Sequence, residues 1–391
     1  MTAPLRWQCT ARDGAARAGL LVTPHGAVPT PSFMAVATLG GLKGVTMEQA
    51  AALGQRIILA NTYHLALRPG AERVRRLGGL HAFCGWDGPM LTDSGGYQVF
   101  SLAAHRVIDD EGVTFRSHLD GTLLRLTPEE SIRIQRCLGA DIIMAFDECP
   151  PAAAARVVVE QACARTARWL ERSRAAWLAA EGPGGCATQA LFAIVQGGTD
   201  PGLRAESARA AVALDLPGYA IGGLAVGESA DERQTVLDAV VPLLPEDRPR
   251  YLMGVGTPLD LVEAVARGLD LFDCVLPTRM GRHGIAYTDD GPLRLKRAEY
   301  AEDPRPIDDT PSPARRLSRG YLHHLLKAGE VLGGTLLSLH NLAYYQRLMA
   351  RLRAAIRGRR CAAFAAQFRA RYRELGDAAV AAGAEPAESG E

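Results

Sequence analysis

Leu-Asp-Leu-Phe-Asp-Cys-Val-Leu-Pro-Thr-Arg-Met-Gly-Arg-His-Gly, at residues 269–284, places an acid inside an apolar run and two arginines shortly after it. The apolar residues around Phe272 predict a short strand that is buried on both faces, as in a parallel sheet. Asp273 is then a carboxylate where water is scarce, which requires a partner or a function. An ion pair or a strand-end cap is the commoner explanation for a lone aspartate. The proline and glycine that follow predict a loop, which would carry Arg279 and Arg282 as anion ligands beside the acid.

The same pattern recurs outward from this strand: an apolar run, then polar or glycine residues, then a helical stretch. Six further runs occur, at residues 56–60, 90–92, 142–146, 191–195, 219–221 and 251–253. Helix starts such as Thr-Pro-Glu-Glu at 127–130 and the segment from Pro258 lie between them. With one more strand near Phe33 the pattern predicts a (β/α)8 TIM barrel, in the α/β class. An open dinucleotide-binding sheet is disfavoured, because no G-x-G-x-x-G follows the first strand.

The two ends of the chain differ from this central pattern. Short alternating segments at 19–22 and 32–36 predict an N-terminal hairpin region. Beyond residue 300 the alternation of apolar strands and helices ends, and helices are expected at 321–327, 336–349 and 362–375. We therefore predict a catalytic barrel with its N-terminal β region over residues 1–300, a small C-terminal helical appendage over 301–375 and a disordered tail over 376–391.

Composition limits the class of protein. The 391 residues are 48% hydrophobic, and no run of 18 or more uncharged apolar residues or signal-peptide core is present, so we expect a cytoplasmic protein without a membrane segment. The eight cysteines form no C-x-x-C pair, which predicts reduced thiols. Residues 279–373 contain 19 Lys/Arg and 8 Asp/Glu, a balance of +11 within a chain of net charge +1. A polyanion would dock there, unless the arginines form only a solvated surface.

The strand ends of the predicted barrel converge on one mouth, where the active sites of such folds lie. Two carboxylates in one mouth suit glycosidic chemistry, with one acid as nucleophile and the other as acid/base. A flat heterocycle would instead need an acid and an amide at its edge, backbone N–H groups, and a face on each side. The residues at the strand ends are Asn61, Asp93, Ser94, Asp147, Gln196, Gly223, Gly254 and Asp273, with Tyr97 and Met253 as candidate faces. They predict a barrel enzyme that acts on a glycosidic bond, such as that of a nucleoside.

Six longer motifs occur together and in a fixed order. They are Thr-Asp-Ser-Gly-Gly-Tyr-Gln-Val at 92–99, Ser-His-Leu-Asp-Gly at 117–121, Met-Ala-Phe-Asp-Glu-Cys at 144–149, Val-Gln-Gly-Gly at 195–198, Ile-Gly-Gly-Leu-Ala-Val-Gly-Glu at 221–228 and Phe-Asp-Cys-Val-Leu-Pro-Thr-Arg at 272–279. Over residues 10–350 the chain resembles the tRNA-guanine transglycosylases, also called queuine tRNA-ribosyltransferases, of the bacterial and eukaryotic type.

The resemblance implies a function in queuosine biosynthesis. Asp273 would attack C1′ of the guanosine at wobble position 34 in the tRNA anticodon loop, expel guanine and hold the tRNA covalently. Asp93 would be the general acid/base, which protonates the leaving guanine and later deprotonates the incoming 7-deazaguanine, either preQ1 or queuine. Arg279 and Arg282 would hold anticodon-loop phosphates. The residues implied to bind the base are Ser94, Tyr97, Asp147, Gln196, Gly223, Leu224 and Met253.

One departure concerns the family's structural zinc, held by C-x-C-x-x-C and a later histidine. Alignment on Ser-Arg-Gly-Tyr-Leu at 318–322 and on His340 places Asp309, Pro311 and Ala314 at the cysteine positions. One imidazole cannot form a tetrahedral zinc site, so we predict no metal and no cofactor. The prolines, the Arg315–Arg316 pair and helix packing would then hold the loop. The resemblance also implies a homodimer, an implication that the missing cysteines weaken, because this subdomain helps to form the interface in relatives.

Two alternatives to an active transglycosylase stay open. One is a non-catalytic subunit that binds tRNA or an active homologue, and the other is a paralogue that exchanges bases in another nucleic acid or nucleoside. The presence of both Asp93 and Asp273 favours the enzyme.

Overall fold

The computed structural model describes residues 5–102, 106–179 and 188–374. The predicted disordered tail and Cys186, one of the eight cysteines, lie outside this range. The predicted N-terminal hairpin region is a three-stranded antiparallel sheet, and residues 32–36, which were predicted as part of it, form a barrel strand instead. The sheet is formed by β1 (Arg6–Asp13), β2 (Ala16–Thr23) and β3 (Gly26–Thr30).

The predicted (β/α)8 barrel is confirmed. It opens with β4 (Ser32–Val36), β5 (Ile58–Ala60) and β6 (Met90–Thr92). An antiparallel sheet of β7 (Arg106–Asp109), β8 (Gly112–Arg116) and β9 (Leu123–Leu126) then interrupts it. The barrel continues through β10 (Ile142–Met144), β11 (Ala190–Val195), β12 (Gly218–Ile221), β13 (Arg250–Leu252) and β14 (Leu271–Cys274). It closes where β14 pairs in parallel with β4, and a short hairpin of β15 (Ile285–Ala286) and β16 (Leu293–Arg294) follows.

Helices cover the outside of the barrel. Their bounds are α1 (Met47–Ala52), α2 (Thr62–Leu67), α3 (Ala71–Arg76), α4 (Gly79–Cys84), α5 (Gly96–Leu102), α6 (Pro128–Leu138), α7 (Arg156–Leu178), α8 (Pro201–Val212), α9 (Ala230–Val240), α10 (Pro258–Ala266), α11 (Leu276–Arg282), α12 (Arg319–Ala328), α13 (Val331–Arg357) and α14 (Cys361–Arg371). The predicted starts of α6 and α10 are confirmed, since Thr127 and Thr257 cap them and a proline follows each cap. Within the described residues, no helix is both long and apolar enough to cross a membrane.

The predicted loop after β14 is wrong, because α11 begins two residues after the strand. Pro277 fits the first turn of a helix, where a missing N–H group costs little. Gly281 lies inside the helix: a Cβ there would come within 2.5 Å of the backbone nitrogen of Ser338 on α13. This glycine therefore allows two helices to approach closely and does not end a strand. Arg279 is half-buried and Arg282 is exposed on the same helix.

The long helix α13 packs on the barrel itself. It extends well beyond the predicted 336–349 and shares a hydrophobic core with the barrel strands and helices. The Tyr345 ring lies 4.6 Å from the Phe33 ring, and its hydroxyl donates to the carbonyl of Gly256 at 2.6 Å. The division of the chain near residue 300 stays a prediction.

The end of the barrel opposite the candidate site contains a buried ion pair. Arg17 on β2 and Asp270, just before β14, are 1% and 0% exposed. The guanidinium binds the Asp270 carboxylate and two backbone carbonyls, and its Cζ lies 4.2 Å from the ring centroid of Trp7. The pair joins the N-terminal sheet to the barrel, and removing one partner would leave a buried charge uncompensated.

Candidate active site

Asp93 follows β6 directly, and its buried carboxylate is held by uncharged donors. The side-chain amide of Asn61 donates to Oδ2, and the backbone N–H of Thr62 donates to Oδ1 at 2.7 Å. Burial raises the pKa of Asp93 to about 6, although these hydrogen bonds oppose the shift. A carboxyl group with this pKa exchanges protons readily near neutral pH, which suits a general acid/base.

Asp273 lies on β14, where the sequence predicted a buried acid. The hydroxyl of Tyr251 and the N–H of Gly254 both donate to its Oδ1, the latter at 2.8 Å. Burial raises the pKa of the Asp273 carboxyl above its ordinary value, and the two hydrogen bonds lower it. The Asp273 charge in turn contributes to the raised pKa of Asp93. The two predicted catalytic acids are therefore electrostatically coupled across one mouth.

Asp147 forms a second cluster with two of the predicted base-binding residues. Its carboxylate accepts the Ser94 hydroxyl at 2.9 Å and the Gln196 amide at 2.7 Å. Burial raises its pKa too. Gln196 Oε1 is buried, with no hydrogen-bond partner among the described residues. An acceptor in that state marks a place where a ligand donor would be stabilised.

The Gly222–Gly223 turn after β12 lies against Gln196. Gly223 has φ +64°, and a Cβ on it would come within 2.2 Å of Gln196 Oε1, so the position requires glycine. A Cβ on Gly222 would lie 3.6 Å from the sulfur of Met253. The structure thus brings Gly223 and Met253 to the Asp147 cluster, and Leu224 is buried beside them in sequence.

Three predicted residues lie at the edges of this site. Tyr97 is 51% exposed on α5, the helix that starts beside Asp147. Arg279 and Arg282 lie on α11, which begins just beyond β14 and Asp273. The roles of these residues stay predictions.

Three further site residues were given no role by the sequence. Tyr251 and Thr62 donate to the two acids, and Asn61 was recognised only as a strand end. Tyr251 resembled an ordinary core residue, because an apolar strand often contains tyrosine. Its register against Leu271 of β14 is what places its hydroxyl near Asp273.

The positions aligned with the family's zinc ligands do not fit that metal. His340 directs Nε2 to the carbonyl of Tyr287 at 2.9 Å, Ala314 is fully buried and Asp309 pairs with Arg347. Arg347 also contacts Asp289 and Asp308, at 3.5 and 3.4 Å. A guanidinium thus lies among these groups where a bound cation would be repelled.

One group of three candidate metal ligands exists within the described ranges, at the opposite end of the barrel. His25, His81 and Asp141 bring one ligand atom each within 4.8 Å of the others. The two imidazole rings stack with centroids 3.7 Å apart and an interplanar angle of 13°. The two ring planes are therefore nearly parallel and offset, so an ion in the plane of one imidazole would lie out of the plane of the other.

We predict that the hydrogen-bond donors of the two buried acids, Asp93 and Asp273, act separately on the two pKa values. Asn61→Ala removes a donor that stabilises the Asp93 carboxylate, so the pKa of Asp93 should rise from about 6 by roughly one unit. Tyr251→Phe should raise the pKa of Asp273 instead. Carbon-13 NMR of carboxyl-labelled protein measures both midpoints, and each variant is the control for the other. Equal movement of both midpoints in either variant would contradict the separate hydrogen-bond assignments.

Known proteins of one family match nearly the whole chain. The family model described as queuine tRNA-ribosyltransferase matches residues 12–374. A queuine tRNA-ribosyltransferase of Thermus thermophilus is 56% identical over 367 residues, which covers 93% of this chain and 94% of the relative. The proteins of the same name from Gluconacetobacter diazotrophicus and Rhizobium meliloti are each 53% identical, covering 95% and 94% of this chain and 95% and 96% of their own lengths. The chain belongs to the queuine tRNA-ribosyltransferase family.

Proposed function

We propose that this chain is a tRNA-guanine transglycosylase, a pentosyltransferase that exchanges guanine at tRNA position 34 for a 7-deazaguanine in queuosine biosynthesis. The observation that carries the proposal is the pair of coupled, buried acids Asp93 and Asp273 beside the Asp147–Gln196 cluster. The names of its relatives support tRNA as the substrate.

Asp273 is the proposed nucleophile. Both of its observed donors contact Oδ1, so we assign Oδ2 to the attack on C1′ of the ribose. The C1′–N9 bond breaks as the new C1′–O bond forms, which leaves the tRNA attached to the enzyme as a glycosyl ester. Reversal by an incoming base then releases the modified tRNA.

Asp93 is the proposed general acid/base. With a pKa of about 6, roughly a tenth of the molecules carry the proton at pH 7, and the remainder can accept one. The acid protonates the departing guanine, and the carboxylate formed in that step then removes a proton from the incoming base. One residue thereby serves both halves of the exchange.

The Asp147 cluster is the proposed reader of the base edge. A carboxylate accepts the N1–H and amino groups of guanine, while the Gln196 amide and the Gly223 N–H donate to its carbonyl oxygen. A 7-deazaguanine, whether preQ1 or queuine, has the same edge, so one pocket accepts both bases in turn. Ser94 orients the carboxylate, the Leu224 carbonyl faces the 7-substituent, and Tyr97 and Met253 cover the two ring faces.

We also propose that the active form is a cytoplasmic homodimer without structural zinc. Exposed apolar side chains on α12 and α13 support a partner surface there: Tyr321, Val331 and Leu332 are 42%, 81% and 49% exposed. The ion pairs of Arg347 with Asp289, Asp308 and Asp309 connect α13 to two loops and take the place of a metal cross-link.

The first prediction concerns exchange itself. Wild-type protein should incorporate labelled guanine into unmodified tRNA that bears G34, and Asp273→Asn should abolish incorporation because an amide cannot form the ester. The measurement is radioactivity in precipitated tRNA, with near-identical thermal unfolding of the variant as the control for folding. Turnover retained in Asp273→Asn would remove it as the nucleophile, and a folded but inactive wild type would favour a partner subunit.

A second prediction concerns the two arginines of α11. Arg279→Ala together with Arg282→Ala should raise the KM for tRNA roughly tenfold or more and leave the KM for guanine nearly unchanged, because lost phosphate contacts weaken only the polyanion. Steady-state kinetics at stated ionic strengths measure both constants. Arg315→Ala with Arg316→Ala, an equal loss of charge at exposed positions, is the matched control. Equal weakening in both double variants would indicate general attraction rather than a specific phosphate contact.

A third prediction concerns the zinc positions. Purified protein should contain well under one zinc per chain, and chelators should change neither its melting temperature nor its sedimentation as a dimer. Arg347→Met should lower the melting temperature, because three carboxylates then lose their shared cation. The control is His340→Ala, which should leave the metal content unchanged. One chelatable zinc per chain that is lost in His340→Ala would restore the family's site.

A further inference from the structure

Arg204, on α8, is a buried cation directly behind the base-recognition loops. Its side chain is 0% exposed, and no carboxylate of the described part of the chain lies within ion-pair distance of it. Instead the guanidinium donates to four backbone carbonyls. They are those of Gly198 at 2.8 Å from Nε, Val195 and Gly222 at 2.9 and 2.6 Å from Nη1, and Gly223 at 3.1 Å from Nη2.

The location of these carbonyls gives the contact a consequence for the site. Two of them flank Gln196 in the loop after β11, and the other two form the glycine turn after β12. One rigid guanidinium therefore sets the spacing between the two loops that carry the proposed base readers. The approach is close, because a Cβ on Gly197 would lie 2.7 Å from the Arg204 backbone nitrogen.

Fixing a backbone carbonyl also fixes the direction of the N–H group that follows it. In a trans peptide the carbonyl and the following N–H point in opposite directions. Holding the Gly222 carbonyl on Arg204 turns the N–H of Gly223 away from Arg204, and holding the Gly223 carbonyl does the same for Leu224. The turn itself packs against the Gln196 side chain, since a Cβ on Gly223 would lie 2.2 Å from Gln196 Oε1.

The electrostatics indicate that this arrangement is not simple packing. Burial lowers the pKa of Arg204 to about 10, so the side chain stays charged at neutral pH. The more distant Glu228 carboxylate opposes this shift, but no carboxylate that the structure describes is paired with the guanidinium, so the cation depends mainly on oriented dipoles for its stability. The Arg204 charge is stabilised only while the four carbonyl groups point towards the guanidinium. The four hydrogen bonds in turn hold those carbonyl groups in that orientation.

We propose that Arg204 is a positioning residue for base recognition, whose guanidinium holds the loops that carry the Gln196 side chain and the Gly223 peptide in the orientation that reads guanine and its replacement. This inference rests on the proposed function of the same pocket. Arg204 does not touch the base, so its effect passes through the two loops.

The test compares two fully buried arginines. Arg204→Lys keeps the charge but cannot reach all four carbonyls, and Arg17→Lys makes the same change at the opposite end of the barrel. Arg204→Lys should raise the KM for guanine at least about tenfold, because small displacements of positioning groups are costly. The KM for tRNA should change little, since phosphate contacts dominate its affinity. Arg17→Lys should lower the melting temperature and leave both constants unchanged.

Hydrogen exchange supplies a readout that does not need activity. Amides at 196–198 and 222–225 should exchange faster in Arg204→Lys and stay protected in Arg17→Lys. If Arg204→Lys lowers only the melting temperature and leaves the KM for guanine and the loop protection as in the wild type, the proposal is wrong. Arg204→Gln is the second variant if the lysine variant does not fold.

The outcomes also separate this inference from the proposed function. A wild type that incorporates guanine, with an Arg204→Lys variant that behaves identically, would overturn the positioning role alone. A wild type that incorporates none would overturn the function. In that case calorimetric binding of guanine and loop exchange in the two lysine variants still decide the role of Arg204.

Discussion

The stabilisation of buried carboxylates by uncharged donors is the interaction on which the candidate site depends. Burial raises the pKa of Asp93, Asp147 and Asp273, and none of the three has an ion-pair partner in the described part of the chain. Dipoles hold a carboxylate in place without the full stabilisation that a cation gives, so each acid keeps a raised pKa. The donors include Asn61 and Thr62 for Asp93, Ser94 and Gln196 for Asp147, and Tyr251 and Gly254 for Asp273.

Arginine side chains, in contrast, connect the structural elements that surround this site. Arg17 closes the far end of the barrel on Asp270, Arg347 ties α13 to two loops, and Arg204 orders the loops after β11 and β12. An arginine placed directly on Asp93 would lower its pKa and keep the carboxylate ionised at neutral pH. Because these guanidinium groups contact the surrounding elements and not the three acids, those elements are held in place while the pKa values of the acids stay raised.

The barrel could be predicted because each strand is a buried apolar run with its polar residue at the carboxyl end. Asp93, Asp147, Gln196 and Asp273 follow from that pattern and from the motifs around them. The donor Tyr251 could not, since strand register alone brings it to an acid 22 residues away. Helix α11 was mistaken for a loop, because Gly281 serves a contact with Ser338 that sequence spacing does not reveal. Arg204 was missed for the same reason: its partners are backbone carbonyls, which leave no signature in residue type.

The central claim is that Asp273 becomes covalently attached to the ribose of the tRNA while Asp93 holds the transferred proton. The most direct measurement is denaturing electrophoresis of protein mixed with G34 tRNA in the absence of an incoming base, followed by mass spectrometry of the slow-migrating species. The account predicts a ribosyl ester on the peptide that contains Asp273, absent in Asp273→Asn and discharged when guanine is added. An active protein with no such adduct, or with the ester on Asp93, would contradict it.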